Sequence, residues 1–220
     1  MRAPRTSFTN PANPPGLPAL QGYGVNRPDQ VEVIWQPFYD IQTYGAGGAT
    51  QFTFFQTPVG QSGSTKASTN MQAAGQFPRP WEFLCTGIQV WFDNGAVVSR
   101  TAAAAAVMTN CNDADAVLNG AAFLDLFIGS KSYLSDAPLA KFPPSFRLQT
   151  ETQIAGTYAA GTQVLVDYAT SAGRYYAITP VRIPANQNFN VTANFPTAIS
   201  VTTAGRLGVI LDGFLYRLSQ

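Results

Sequence analysis

The feature that most constrains this chain is a series of short apolar segments, rich in β-branched and aromatic residues and bounded by Gly, Pro, Asn or Asp. Segments of this kind predict β-strands. The eight strongest span 31–35, 51–55, 83–92, 123–128, 163–168, 175–178, 189–195 and 207–218. Because no long alternation of strands with amphipathic helices occurs, a parallel α/β sheet is not expected. A double-sheet jelly roll uses about eight strands, so we predict an all-β fold, a single antiparallel jelly-roll sandwich.

Helix signals are few and short. The alanine run 102–106 has high helix propensity, and Asn112-Asp113 could cap a second short helix that ends before Gly120. Both predict short helical insertions between strands. In the last predicted strand, apolar residues alternate over 207–211 until Asp212-Gly213 interrupts them, which predicts a bulge after which Phe214 and Tyr216 continue on a changed face.

Residues 1–30 differ in character from the rest of the chain. Six prolines, at positions 4, 11, 14, 15, 18 and 28, interrupt a stretch with almost no large apolar side chains. Proline fixes φ and removes a backbone donor, so this segment predicts an extended N-terminal arm, with the jelly-roll domain spanning 31–220. Arg2, Arg5 and Arg27, set against Asp29, make the arm locally basic. The arm is either a solvated tail or a segment that makes a weak contact with nucleic acid or with an internal membrane.

Charged residues make up only 11% of the chain, against roughly 25% in soluble domains. The net charge of +1 provides no overall attraction to nucleic acid or to an anionic membrane. So few charges protect a free monomer weakly, and burial between subunits would relieve this. The longest small-apolar run, 102–108, is too short to span a membrane, and the first twenty residues lack the apolar core of a secretory signal.

Histidine is absent, which excludes the usual serine and cysteine triads and imidazole metal ligation. A pair of acids remains conceivable, but Glu32, Glu82 and Glu151 form no local motif, and we expect the strand residues Asp125 and Asp167 to face solvent. The 112–115 cluster lacks the spacing of a calcium loop, so helix capping is the better interpretation. We therefore predict no enzyme activity, no catalytic or metal-binding residue, no cofactor and no small-molecule substrate.

The cysteines and tryptophans are interpreted by their surroundings. Cys85 and Cys111 have neither C-x-x-C spacing nor a histidine partner and are expected to be small buried hydrophobes. Trp35 and Trp91 lie within apolar strands and are expected to pack in the core. Trp81 follows a proline-rich loop, where it anchors the loop or meets a neighbouring subunit. With Arg2, Arg5 and Arg27, Trp81 is a candidate for subunit contacts.

The C-terminal part of the chain carries a recognisable series of motifs: Val181-Arg-Ile-Pro-Ala185, Phe189-Asn-Val191, Asn194-Phe-Pro196 and the stretch Arg206 to Arg217. Together with Gly129-Ser-Lys-Ser-Tyr133, this series resembles the end of jelly-roll structural proteins of bacteriophage particles. The resemblance covers about the last 100 residues. It implies a capsid protein of the virion, assembled in the host cytoplasm, whose partners are its own copies and other virion proteins. This family brings no catalytic residues to transfer.

Two other functions stay open from the sequence. One is a carbohydrate- or receptor-binding β-sandwich of a spike or decoration protein, which would need an exposed aromatic groove. The other is a polysaccharide-cleaving enzyme that works with two acids alone. No positive feature of the sequence supports the enzyme.

Overall fold

A computed structural model describes residues 31–93, 113–142 and 176–218 of the chain. These residues form nine β-strands: β1 (Val31–Trp35), β2 (Phe38–Tyr44), β3 (Gln51–Phe54), β4 (Glu82–Asp93), β5 (Phe123–Ile128), β6 (Lys131–Pro138), β7 (Tyr176–Ile183), β8 (Phe189–Asn194) and β9 (Gly205–Leu218). Helix is limited to one short α-helix, α1 over 113–118, and a 3-10 turn at Leu139–Lys141. The all-β prediction is confirmed.

The strands form two antiparallel sheets. In the larger sheet the order is β1-β9-β4-β7, with β2 pairing the other half of β9 beside β1. In the smaller sheet the order is β3-β8-β5-β6. The two longest strands, β4 and β9, pair along almost their whole length at the centre of the larger sheet. Seven pairs of neighbouring strands form these two sheets: β5 and β6 make a hairpin, and the other six pairs join strands that are distant in sequence.

One hydrophobic core lies between the two sheets. Tyr44 of the larger sheet stacks on Phe52 of the smaller one with ring centroids 5.1 Å apart, and Phe92 meets the Tyr44 ring edge-on at 5.3 Å. At the other end of the core, Phe77 stacks on Phe189 at 5.0 Å. Offset and edge-to-face ring pairs of this kind add stability beyond the burial of apolar area. The packing of both inner faces into a single cluster makes the fold a β-sandwich.

Seven of the predicted strands coincide with observed ones, and β1 and β5 match them at both ends. The eighth, at 163–168, lies outside the described residues. The alanine run 102–106 also lies outside the described residues, as do Asn112, Cys111, Glu151 and Asp167. The second predicted helix is confirmed as α1.

Two strands were not predicted, and each departs from the alternating pattern. In β2 the inward positions include a carboxylate, because Asp40 is buried beside Phe38 and Tyr44. In β6 the side chains are nearly all exposed, its register with β5 shifts twice, and Asp136 has a φ of 50°. An edge strand with little burial carries almost no hydrophobic pattern from which it could be predicted.

The predicted bulge is present, but it lies on the neighbouring strand. The register of β4 with β9 shifts between Cys85 and Gly87, so that Thr86 is the extra residue opposite Asp212-Gly213. Because β9 itself has no inserted residue, its faces do not change: Leu215 is buried like Leu211, and Phe214 points outward. The prediction that Phe214 and Tyr216 continue on a changed face was therefore wrong.

Candidate functional site

An open groove of about 640 Å³ lies at one edge of the larger sheet, and we call it the edge groove. Its walls come from three parts of the fold: the edge strands β1 and β2, the connection 55–81, and the end of β9. The lining residues are Ile34, Gln36, Phe38, Tyr39, Val59, Lys66, Asn70, Gln72, Trp81, Leu215 and Arg217. The groove therefore combines aromatic and aliphatic surface with carboxamides and two cations.

Hydrogen bonds to β2 hold the wall formed by 55–81 in place. The Tyr39 hydroxyl donates to the Lys66 carbonyl at 2.5 Å, and the Tyr39 backbone N–H donates to Oδ1 of Asn70 at 3.0 Å. The Asn70 amide in turn donates to the Pro37 carbonyl at 2.8 Å. Because Tyr39 and Asn70 are thirty-one residues apart, the tertiary fold alone brings them together.

A buried carboxylate fixes the start of the same connection. Asp40 accepts a hydrogen bond from the Phe55 backbone N–H at 2.6 Å, where Phe55 has a φ of 69°. Burial raises the pKa of Asp40 above its ordinary value of 3.8, and the hydrogen bonds from Phe55, Gln42 and Ile41 offset only part of this. Asp40 thus clamps the connection to β2 behind the groove.

Trp81 lies between the proline-rich loop and β4. The backbone N–H of Trp81 closes a turn by donating to the Pro78 carbonyl at 2.9 Å, immediately before β4 begins. The ring packs partly against the core and partly lines the edge groove. Trp81 therefore anchors the loop and contributes to the groove surface. The other three contact candidates, Arg2, Arg5 and Arg27, lie outside the described residues.

The groove has basic and neutral walls. Lys66 and Arg217 are its charged residues, and none of the lining residues, all of which belong to the described ranges, is acidic. Arg217 is partly neutralised, because its Nε donates at 2.7 Å to Oε2 of Glu32, its cross-strand partner in β1.

A second aromatic surface lies on the outer face of the larger sheet. Trp35 is 66% exposed and Phe214, its cross-strand neighbour, is 38% exposed. The prediction that Trp35 packs in the core was wrong, because its position in β1 points away from the smaller sheet. Beside this pair, burial raises the pKa of Asp212 above its usual 3.8, while a hydrogen bond from Trp35 acts in the opposite direction.

Trp91 also lies outside the core, against the prediction. Its ring lies against Gly208, where an added Cβ would come within 2.6 Å of the indole, and the Arg206 guanidinium stands 5.6 Å from the ring centroid. The tryptophan, with its bound arginine, therefore belongs to the outer face of the sheet. The apolar residues around Trp91 predict that one face of the strand is buried. They do not indicate which of the two faces packs against the other sheet.

The acidic residues are held by structural contacts. Asp125 is buried, not solvated as expected: it accepts hydrogen bonds from the Asn194 amide and the Asp136 backbone N–H, both at 2.7 Å. Asp113 does not act only on its own helix, because its carboxylate accepts from the Thr202 N–H at 2.9 Å and ties α1 to the segment before β9. In the described ranges, no group of three or more His, Cys, Asp or Glu is placed to hold a metal ion.

Cys85 is confirmed as a buried, free thiol. Burial raises its pKa to about 12, and the Asp212 carboxylate nearby adds to the rise. It is therefore a small core residue. No helix in the part of the chain that the structure describes is long and apolar enough to cross a membrane.

Comparison of the chain with protein-family models, with curated proteins and with solved structures finds no match.

Proposed function

We propose that this chain is a phage capsid protein, a virion structural subunit that self-assembles into capsomers or a shell. In this proposal the body is a single jelly roll, and the N-terminal arm contacts neighbouring subunits. Its partners are copies of itself and other virion proteins, and the basic arm adds a weak contact with nucleic acid or an internal membrane.

The observation that carries the proposal is the order of strand pairing. A jelly roll is one long antiparallel hairpin, four strands out and four back, rolled into two sheets. Strand one then pairs with eight, two with seven, three with six and four with five. With β1 and β2 counted as an interrupted first strand, the pairs β2–β9, β3–β8, β4–β7 and β5–β6 follow this scheme. Rolling the hairpin into two sheets adds two further pairs, strand eight with strand three and strand seven with strand four. These correspond to β9–β4 and β8–β5.

Because one fold hosts many functions, the capsid role also draws on the surface. Only 11% of residues are charged, and the described surface exposes Trp35, Phe214, Val59 and Tyr133. Exposed apolar side chains on a weakly charged surface favour association with other protein surfaces. Cationic side chains are mostly arginine, ten against three lysines, and arginine suits hydrogen-bonded interface contacts. These features favour a subunit that is buried by its neighbours.

The test is assembly of the purified chain. Size-exclusion chromatography with light scattering, followed by electron microscopy of any large species, should reveal particles or capsomers. Deleting residues 2–28 should weaken assembly while circular dichroism retains the β spectrum, because an arm that orders on a partner contributes to affinity and not to the body's fold. Unchanged particle formation by the truncated chain would count against the arm.

A matched variant separates the arm's charge from its length. Replacing Arg2, Arg5 and Arg27 by alanine keeps every proline and the full span. If the arm meets nucleic acid, this variant should form shells but lose packaged nucleic acid, and the salt dependence of binding should fall with each phosphate contact removed. Equal nucleic-acid content in wild-type and variant particles would show that these arginines do not bind nucleic acid.

The exposed pair Trp35 and Phe214, with the Asp212 carboxylate beside it, favours one second candidate, a carbohydrate- or receptor-binding module. Sugars stack on exposed aromatic rings and hydrogen-bond to neighbouring carboxylates. A glycan array is the direct measurement. Binding that Trp35→Ala abolishes would support this function, and an array without any bound glycan would remove its main support.

A further inference from the structure

We propose that the edge groove receives the proline-rich segment 11–18 from the arm of a neighbouring copy. This inference rests on the self-assembly proposed above and assigns the arm a specific receptor site. The observations that carry it are the spacing of the prolines and the chemistry of the groove lining.

The proline spacing matches an extended ligand. The segment reads Pro11-Ala-Asn-Pro14 followed by Pro15-Gly-Leu-Pro18, so two P-x-x-P units stand in tandem. A polyproline II helix has three residues per turn, which brings the two prolines of each unit to the same side. Residues 6–26 contain no charged side chain. The segment can therefore enter a groove without burying an unpaired charge.

The groove lining matches what such a ligand needs. Proline-rich segments dock in grooves lined by aromatic rings, because the rigid pyrrolidine rings pack on flat aromatic surface and lose little entropy. Trp81 and Tyr39 supply that surface in the edge groove. A polyproline II backbone makes no internal hydrogen bonds, so its carbonyls need donors. Gln72 lines the groove and carries an amide donor, as does Gln36, whose amide also donates to the Pro37 carbonyl at 3.0 Å.

The receptor is preorganised. The Tyr39 ring is held by the hydrogen bond from its hydroxyl to Lys66, and Trp81 is held by its packing on the core. Little rotamer entropy remains to be lost on binding, which favours affinity.

The position of the groove relative to the chain's own arm favours a neighbouring copy. The arm joins the body at Val31, and β1 runs from there along the groove, whose lining includes Arg217 opposite Glu32 and Ile34 further along the strand. A chain that filled its own groove would have to reverse direction within the residues between Pro18 and Val31. A neighbour's arm needs no such reversal, and docking it buries apolar surface on both subunits.

The test uses the full-length chain with a photo-cross-linker, p-benzoylphenylalanine, in place of Leu17. Chains labelled with ¹⁴N and ¹⁵N are mixed in equal amounts before assembly, irradiated, digested and analysed by mass spectrometry. We expect cross-links from position 17 to peptides that contain Trp81, Gln72 or Tyr39, with roughly half of them joining a light to a heavy peptide. Cross-links within single-isotope chains alone would show docking in the same chain and overturn the proposal, as would cross-links that avoid the groove.

Variants test the contact in a second way. Trp81→Ala should reduce groove cross-links roughly tenfold, as expected for a central aromatic anchor. Trp81→Phe keeps a ring and should retain most of them, which guards against a folding defect in the alanine variant. Tyr133→Ala removes an exposed aromatic of β6, distant from the groove, and should leave cross-linking unchanged. Equal cross-linking in all three variants would overturn the assignment.

The outcomes separate the two proposals. Particles that form without groove cross-links would overturn the docking and leave the capsid function standing. A wild-type chain that stays monomeric and gives no mixed-isotope cross-link would overturn both. Mixed-isotope groove cross-links in a small oligomer that never forms particles would support the docking and count against the shell.

Discussion

Loss of Arg182 should destabilise this protein more than loss of any comparable surface arginine. Glu82 of β4 is paired with Arg182 of β7, whose Nε lies 2.8 Å from Oε2 of the carboxylate and whose Nη2 donates to the same oxygen. The glutamate side chain is 5% exposed and the arginine side chain 30% exposed. The variant Arg182→Met keeps the aliphatic stem but leaves a carboxylate inside the sheet surface without its countercharge.

The magnitude follows from burial. Removing one partner of a buried ion pair costs about 3–5 kcal/mol, because the remaining charge is no longer compensated. Arg182 is nearly one-third exposed, so water compensates part of the loss, and we expect about 2–3 kcal/mol for Arg182→Met. In the double variant Glu82→Gln/Arg182→Met no buried charge remains, and the loss should fall to about 1 kcal/mol.

Thermal unfolding followed by circular dichroism measures the effect. A chain of this size loses about 2–4 °C of Tm per kcal/mol, so Arg182→Met should unfold about 4–12 °C below wild type. The matched control is Arg217→Met, which breaks a pair of the same residue types with 35% and 45% exposed side chains and should cost less than about 1 kcal/mol. Equal shifts for the two arginines, or a double variant no more stable than Arg182→Met, would refute the reasoning.

Three further predictions test the core and the clamp. At Gly213 an added Cβ would stand 2.0 Å from the Leu84 carbonyl oxygen, so Gly213→Ala should separate β4 from β9. The free energy of unfolding in urea should fall by about 3 kcal/mol. The control is Gly45→Ala, where the added Cβ meets nothing within 4 Å, and a similar loss there would contradict this explanation. Burial raises the pKa of Asp40 above 3.8, so the charged carboxylate lowers the free energy of unfolding at neutral pH. As the pH falls through the folded pKa towards 3.8, the free energy of unfolding of the wild type should therefore rise relative to that of Asp40→Asn. A relative loss on acidification would show the opposite shift. With its pKa raised to about 12, Cys85 should resist alkylation at pH 8 until the chain unfolds, and rapid modification of the Cys85 peptide in native protein would contradict its burial.

Much of the fold could be predicted because β-strands with one buried face carry their own pattern. In β8, the core-facing side chains Phe189, Val191 and Ala193 alternate with polar residues, as one buried sheet face requires. The same reasoning missed β2, because Asp40 occupies an inward position, and β6, because almost none of its side chains is covered. A pattern based on burial fails where a polar group is buried or where a strand lies at an edge.

The candidate site could be predicted only in part. Trp81 was identified from its place after a proline-rich turn, but its partners in the groove were not. Tyr39 and Asn70 carry no local signal, and the end of β9 reaches the same groove from the far end of the chain. Residues brought together by strand pairing are separated by tens to nearly two hundred positions, and no periodicity along one segment records such neighbours.

The sequence alone determined the antiparallel β class of the body, and it shows a proline-rich first thirty residues, sparse charge and no histidine. The tertiary structure decided which side chains are covered, since it turned Trp35 outward, buried Asp125, placed the bulge on β4 and assembled the edge groove. The physical reason is that propensity and alternation act between near neighbours in the chain, whereas burial of a side chain depends on what the opposite strand and the facing sheet bring against it.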